Sequence, residues 1–64
     1  SVVEFVLNCR LRKAAKLIIE ENMTMREVMM HIGIESQAYF TNSFKKVFGE
    51  TPTAFAAKHK KTTR

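Results

Sequence analysis

The chain has little of what stiffens small folds. Its 64 residues include one cysteine, one proline and two glycines. The lone Cys9 excludes an internal disulfide and fits a reducing compartment. The start, SVVEFVLNCR, has neither a basic head nor a small-residue cleavage site, so no secretory leader is expected. No apolar run approaches the ~18–20 residues of a membrane span, and a cytoplasmic location is expected. There is no internal repeat, no low-complexity tract and no useful stretch of strand-like alternation. Two histidines and one cysteine at these spacings make no metal site. No Gly-rich phosphate loop and no set of nucleophile, base and orienting group is present, so neither an enzyme nor a cofactor is expected.

A chain this short forms at most one small domain, because at about 60 residues only ~60% of the unfolded surface is buried. Apolar residues make up 45%, which argues against disorder. The net charge is +5, and it is unevenly placed. Up to residue 44, Arg10, Arg12, Lys13, Lys16 and Arg26 balance Glu4, Glu20, Glu21, Glu27 and Glu35. Beyond it, Lys45, Lys46, Lys58, Lys60, Lys61 and Arg64 face Glu50 alone. A basic end favours a polyanion, although many basic tails serve solubility only.

Residues 1–21 read as one long helix. Ser1 and Glu4 have capping-box spacing, and no glycine or proline interrupts the run. Val3, Leu7, Leu11, Ala14, Ala15 and Ile18 form an apolar stripe. The opposite side is polar from Arg12 onward, with Lys13, Lys16 and Glu20, but apolar before it, at Val2, Phe5, Val6 and Cys9. The first half is therefore apolar nearly all round, and the rest of the chain is large enough to cover one side. Another element, outside this sequence or supplied by a second chain, is expected on Val2, Phe5, Val6 and Cys9, the plainer alternative being a fraying apolar end. Cys9 itself reads as a packing residue.

Asn22 suits a C-cap, and Thr24 with Glu27 makes a second capping box. A short helix from about Met25 to His31 follows, with Val28 and Ile32 inward and Met25 or Met29 beside them. Gly33 stops it in a left-handed turn, and Ile34 plugs the gap. The four methionines, Met23, Met25, Met29 and Met30, read as adaptable core. His31 is a favourable donor at a helix end. Ser36 caps the next helix, Gln37 to Phe48, which turns Phe40, Ser43, Phe44 and Val47 inward with Phe48 at the edge. Gly49 ends it. Thr51 and Pro52 start a last helix that runs to Lys58 or His59, anchored by Phe55. Residues 60–64 read as a flexible basic tail.

Residues 24–48 thus read as a helix-turn-helix. A major groove ~12 Å wide admits one helix, which must be braced and present polar side chains. The outward side here carries Gln37, Ala38, Thr41 and Asn42. Gln37 and Asn42 suit paired hydrogen bonds to adenine, Thr41 a donor, acceptor or methyl contact, and Ala38 a close approach. Phosphate contacts are expected from Thr24, Arg26, Lys45 and Lys46. The plainer reading of this helix face is a merely solvated one.

The residues also resemble a family. Arg10-Leu11-x-x-Ala14-x-x-Leu17-Ile18 looks like the signature of the AraC/XylS transcription regulators. Glu27-Val28, Gly33, Tyr39-Phe40, Phe44-Lys45-Lys46, Phe48-Gly49 and Thr51-Pro52 match its continuation, so the resemblance covers about residues 1–58. It implies an all-α, four-helix, homeodomain-like fold: a linking helix (1–21) and the second of two helix-turn-helix units (24–48), with a C-terminal helix (52–59). It implies that the first unit and any effector-sensing domain lie outside this sequence. It also implies base reading by Gln37, Ala38, Thr41 and Asn42 on double-stranded DNA in a bacterial regulator. Asn42 stands where the family often has arginine, which moves the expectation toward an adenine preference or weaker binding. Met29 replaces a usual alanine, and Ile34 a usual phenylalanine. The alternative function is a helical interaction or dimerisation module using the Val2/Phe5/Val6/Cys9 patch.

Overall fold

A computed structural model describes residues 1–21 and 23–59. The Asn22 cap and the 60–64 tail expected from the sequence lie outside the described residues. The chain forms α1 (Val2–Glu21), α2 (Met25–Ile32), α3 (Gln37–Phe48) and α4 (Pro52–His59), with no strand among the described residues.

Each start has a local cause. Ser1 Oγ accepts from the Glu4 N–H at 3.3 Å. At α2, Thr24 Oγ1 accepts from the Glu27 N–H at 3.2 Å, and the Thr24 N–H donates to the Glu27 carboxylate at 3.0 Å, completing a capping box. Ser36 Oγ accepts from the Tyr39 N–H, and Thr51 Oγ1 from the Ala54 N–H, both at 3.2 Å. Each cap satisfies a donor that helix geometry leaves orphaned. Two of the ends are glycines in the left-handed region: Gly33 at φ 77° and Gly49 at φ 83°. Their N–H groups donate to Met29 O at 2.9 Å and Lys45 O at 2.7 Å.

The core is one cluster: Leu11, Ala14, Ala15 and Ile18 of α1, Val28 and Ile32 of α2, Ile34 of the turn, Phe40 and Phe44 of α3, and Phe55 of α4. Phe44 is fully buried. Its ring centroid lies 5.8 Å from Phe40, 4.5 Å from Phe48 and 5.2 Å from Phe55. Edge-to-face and tilted geometries of this kind add to the burial itself. The four buried residues of α1 all lie from its midpoint, Leu11, onward. Two small residues among them, Ala14 and Ala15, hold that half close to its neighbours.

Several expectations need correction, all at places where periodicity meets the edge of the packing. Val3 shares the apolar stripe of α1 but is exposed, because the other helices do not extend over the first turns. Val47 was expected inward and is 43% exposed, whereas Phe48 packs on Phe44 and Phe55. The cause is α4, which docks on the Phe44/Phe48 side and leaves Val47 uncovered. Met23, Met25 and Met29 pack partly against the core, but Met30 is 74% exposed. Cys9 is exposed, since no element of the chain covers its face. His59, at the border of the expected tail, closes α4. Its ring lies 4.2 Å from Phe55, and Nδ1 is 3.1 Å from the Phe55 carbonyl oxygen.

Replacing Phe44 by alanine should cost about 3–5 kcal/mol, comparable to the whole stability of a domain this small. Far-ultraviolet circular dichroism at 25 °C should show largely lost helicity. Phe5→Ser, at a residue 68% exposed, should shift stability by no more than about 0.5 kcal/mol in a thermal melt followed by the same signal.

Candidate nucleic-acid interface

The inward set Phe40, Ser43 and Phe44 fixes the roll of α3 about its axis. At 3.6 residues per turn, the opposite side must carry Ala38 and Asn42, with Lys45 and Lys46 one turn on. All four are exposed. Gln37 is exposed at the first position of α3 and lines a groove with Met25, Arg26 and Met29 of α2. Thr41 is half-buried on the flank. Of the four expected base readers, two therefore stand at the centre of the open side, one at its leading edge and one on its shoulder.

The expected phosphate contacts divide between two ends. Lys45 and Lys46 are exposed in the last turn of α3, where cations also complement the helix dipole. Thr24 and Arg26 are exposed at the start of α2. The capping box already engages the Thr24 hydroxyl as an acceptor and the Thr24 and Glu27 N–H groups as donors. What that end still offers an anion is the Thr24 hydroxyl proton, the N–H groups of Met25 and Arg26, and the Arg26 guanidinium.

Two residues at this surface escaped the sequence reading as site candidates. Tyr39 is 49% exposed and lines a second groove with Val2, Val6 and Arg10 of α1. Its position was legible: it sits 100° round from Ala38 and seven residues before Lys46, on the α1-facing shoulder. Glu35 is exposed in the turn and borders both grooves. No periodic signal places it, because the turn is not helical.

Arg10 reaches from α1 to the turn. A Cβ placed on Gly33 would lie 3.4 Å from Arg10 Nη1. α1, the turn and the leading end of α3 thus border one groove.

This arrangement presents a rigid polar helix surface flanked by cations. Chain comparison agrees with it: a helix-turn-helix domain model matches residues 1–58. The chain belongs to the AraC-type helix-turn-helix family. It is a DNA-binding domain of that family of bacterial transcription regulators. It is 42% identical over 52 residues to a probable transcription factor, PqrA, of Proteus vulgaris, covering 81% of this chain and 43% of PqrA. It is 36% identical over 58 residues to the virulence regulon transcriptional activator VirF of Shigella flexneri, covering 91% of this chain and 22% of VirF. It is 33% identical over 55 residues to AdaA of Bacillus subtilis, a bifunctional transcriptional activator and DNA repair enzyme, covering 86% of this chain and 26% of AdaA. The chain thus spans less than half the length of these relatives. No solved structure gives a significant match. Among the described residues, no helix is long and apolar enough to cross a membrane.

Gly33→Ala should destabilise the domain by more than about 1 kcal/mol, because alanine at positive φ is strained. Chemical denaturation should show the loss, with the slope against denaturant unchanged.

Proposed function

We propose that this domain is the second reading head of a two-headed regulator, with α3 in the major groove of double-stranded DNA. Ala38 and Asn42 face the base edges at the centre, Gln37 at the leading end and Thr41 at the shoulder. Thr24 and Arg26 hold one phosphate strand, Lys45 and Lys46 the other. The observation that carries this reading is the roll of α3: burying Phe40 and Phe44 leaves Ala38, Asn42, Lys45 and Lys46 together in solvent. Small and amide side chains at the centre with cations at the edge suit a groove whose floor is hydrogen-bonding and whose walls are anionic.

In this reading α1 is the linking helix, and a first helix-turn-helix unit outside this sequence packs on Val2, Phe5, Val6 and Cys9. Val2 is 77% exposed in this chain and Phe5 nearly as much. Contiguous apolar surface on a soluble domain marks an interaction site. The domain acts in the bacterial cytoplasm, as a binding module with no catalytic step of its own. A second reading, favoured by the same patch, is a dimerisation module in which another copy covers it.

Titration of a fluorescent duplex separates the two. The three cationic phosphate contacts, Arg26, Lys45 and Lys46, predict that affinity falls roughly fortyfold between 50 and 200 mM salt. Lys45→Ala should reduce the slope of log affinity against log salt by about one. Gln37→Ala with Asn42→Ala should remove sequence preference while low-salt binding persists. No binding at low salt, together with a dimer that Phe5→Ser dissolves, would establish the second reading instead.

A further inference from the structure

Resting on the DNA-reading role proposed above, we infer that Glu35 is a specificity residue: its carboxylate accepts a hydrogen bond from cytosine N4 at the pair beside that read by Gln37. The placement comes first. Glu35 stands between the left-handed turn at Gly33 and the cap at Ser36, so it precedes α3 at the end that meets base edges. It is exposed and borders the groove that holds Arg26 and Gln37 as well as the groove that holds Arg10 and Tyr39. Ser36 supplies the cap through its own hydroxyl, so the Glu35 side chain is not needed for it. Glu35 forms no ion pair among the described residues. By contrast, Glu27 is held in the α2 capping box and Glu50 lies 3.8 Å from Lys58.

Chemistry then selects the base. A carboxylate only accepts hydrogen bonds. In the major groove guanine offers two acceptors and thymine one, and all of these repel it. Adenine offers a donor, but its N7 acceptor lies alongside. Cytosine offers its N4 amine with no adjacent acceptor of its own. The same charge is repelled by phosphate, so Glu35 disfavours DNA held out of register, where the leading end of α3 would rest on the backbone. α3 itself has no acidic residue to take this role.

The experiment is selection by the whole chain from a duplex pool randomised over about ten base pairs, one helical turn, followed by sequencing. The wild-type chain should enrich cytosine at one position beside the Gln37-dependent one, and Glu35→Ala should lose that preference alone. On the enriched site, replacing the C·G pair by T·A should weaken wild-type binding about tenfold and Glu35→Ala less than about twofold. Glu35→Ala should also bind the unselected pool about threefold more tightly, through relief of phosphate repulsion. Glu35→Ala, melted alongside, distinguishes a purely structural role. If it lowers the melting temperature while cytosine preference persists, the carboxylate acts only on the helix dipole and the inference is overturned. A wild-type chain that enriches a Gln37- and Asn42-dependent motif unchanged by Glu35→Ala overturns this inference and leaves the DNA-reading role standing. A chain that neither enriches nor binds the pool at low salt overturns both.

Discussion

The burial of Phe44 is the constraint on which the rest of the structure depends. Its ring meets Phe40, Phe48 and Phe55, and so ties α3 to itself and to α4 within the cluster that includes α1 and α2. Burying a phenylalanine is favourable by ~1.5–3 kcal/mol, a large part of what a domain this small has in reserve. The consequence for function is angular. A roll of one residue would turn α3 by about 100° and replace its whole outward side. With Phe44 inward, Ala38 and Asn42 are centred in solvent, with Lys45 and Lys46 one turn on. The hydrophobic core thus determines which side chains are available to a polar partner.

The same helix that closes the core is unpaired at its other end. Leu11, Ala14, Ala15 and Ile18 are buried, but Val2, Val3, Phe5 and Val6 are exposed. One continuous helix without glycine or proline carries both halves, so a body seated on the first half is rigidly coupled to the second. Arg10 lies at the division, its Nη1 3.4 Å from where a Cβ on Gly33 would sit. That proximity places α1 beside the turn that sets the angle between α2 and α3, as well as over the core beneath them.

Much of this was legible in the sequence, for local reasons. Caps at Thr24, Ser36 and Thr51 and glycines at 33 and 49 act within a few residues, and the helix bounds followed from them. The inward positions Leu11, Val28, Phe40 and Phe44 followed from the helical period. What failed was coverage. Val3 and Val47 have the right phase but no neighbour above them, and Met30 has the right composition on the wrong side. Whether an inward phase becomes burial depends on where other helices stop, which no local pattern encodes. The interface shows the same limit: the outward stripe on α3 was legible, but the shoulder position of Thr41 and the grooves at Tyr39 and Glu35 depend on how α1 and α2 approach.

On the proposed DNA-reading role, the distribution of charge around α3 explains why one head alone would discriminate better than it holds. Its centre is an alanine and an asparagine, neutral groups that gain by matching a base and lose by missing one. The cations stand outside that centre, at Lys45, Lys46 and Arg26, where they attract any duplex alike. A short amide in place of a long cation at position 42 removes attraction without removing discrimination. In the two-headed reading, a stiff link repairs the deficit without new contacts, because the second head then meets DNA already held close. The 20 residues of α1 span ~30 Å at 1.5 Å each, with no glycine or proline to bend them. A rigid helix of that length restricts the two heads to one spacing. That restriction adds specificity to affinity, which a flexible linker of equal reach would not do.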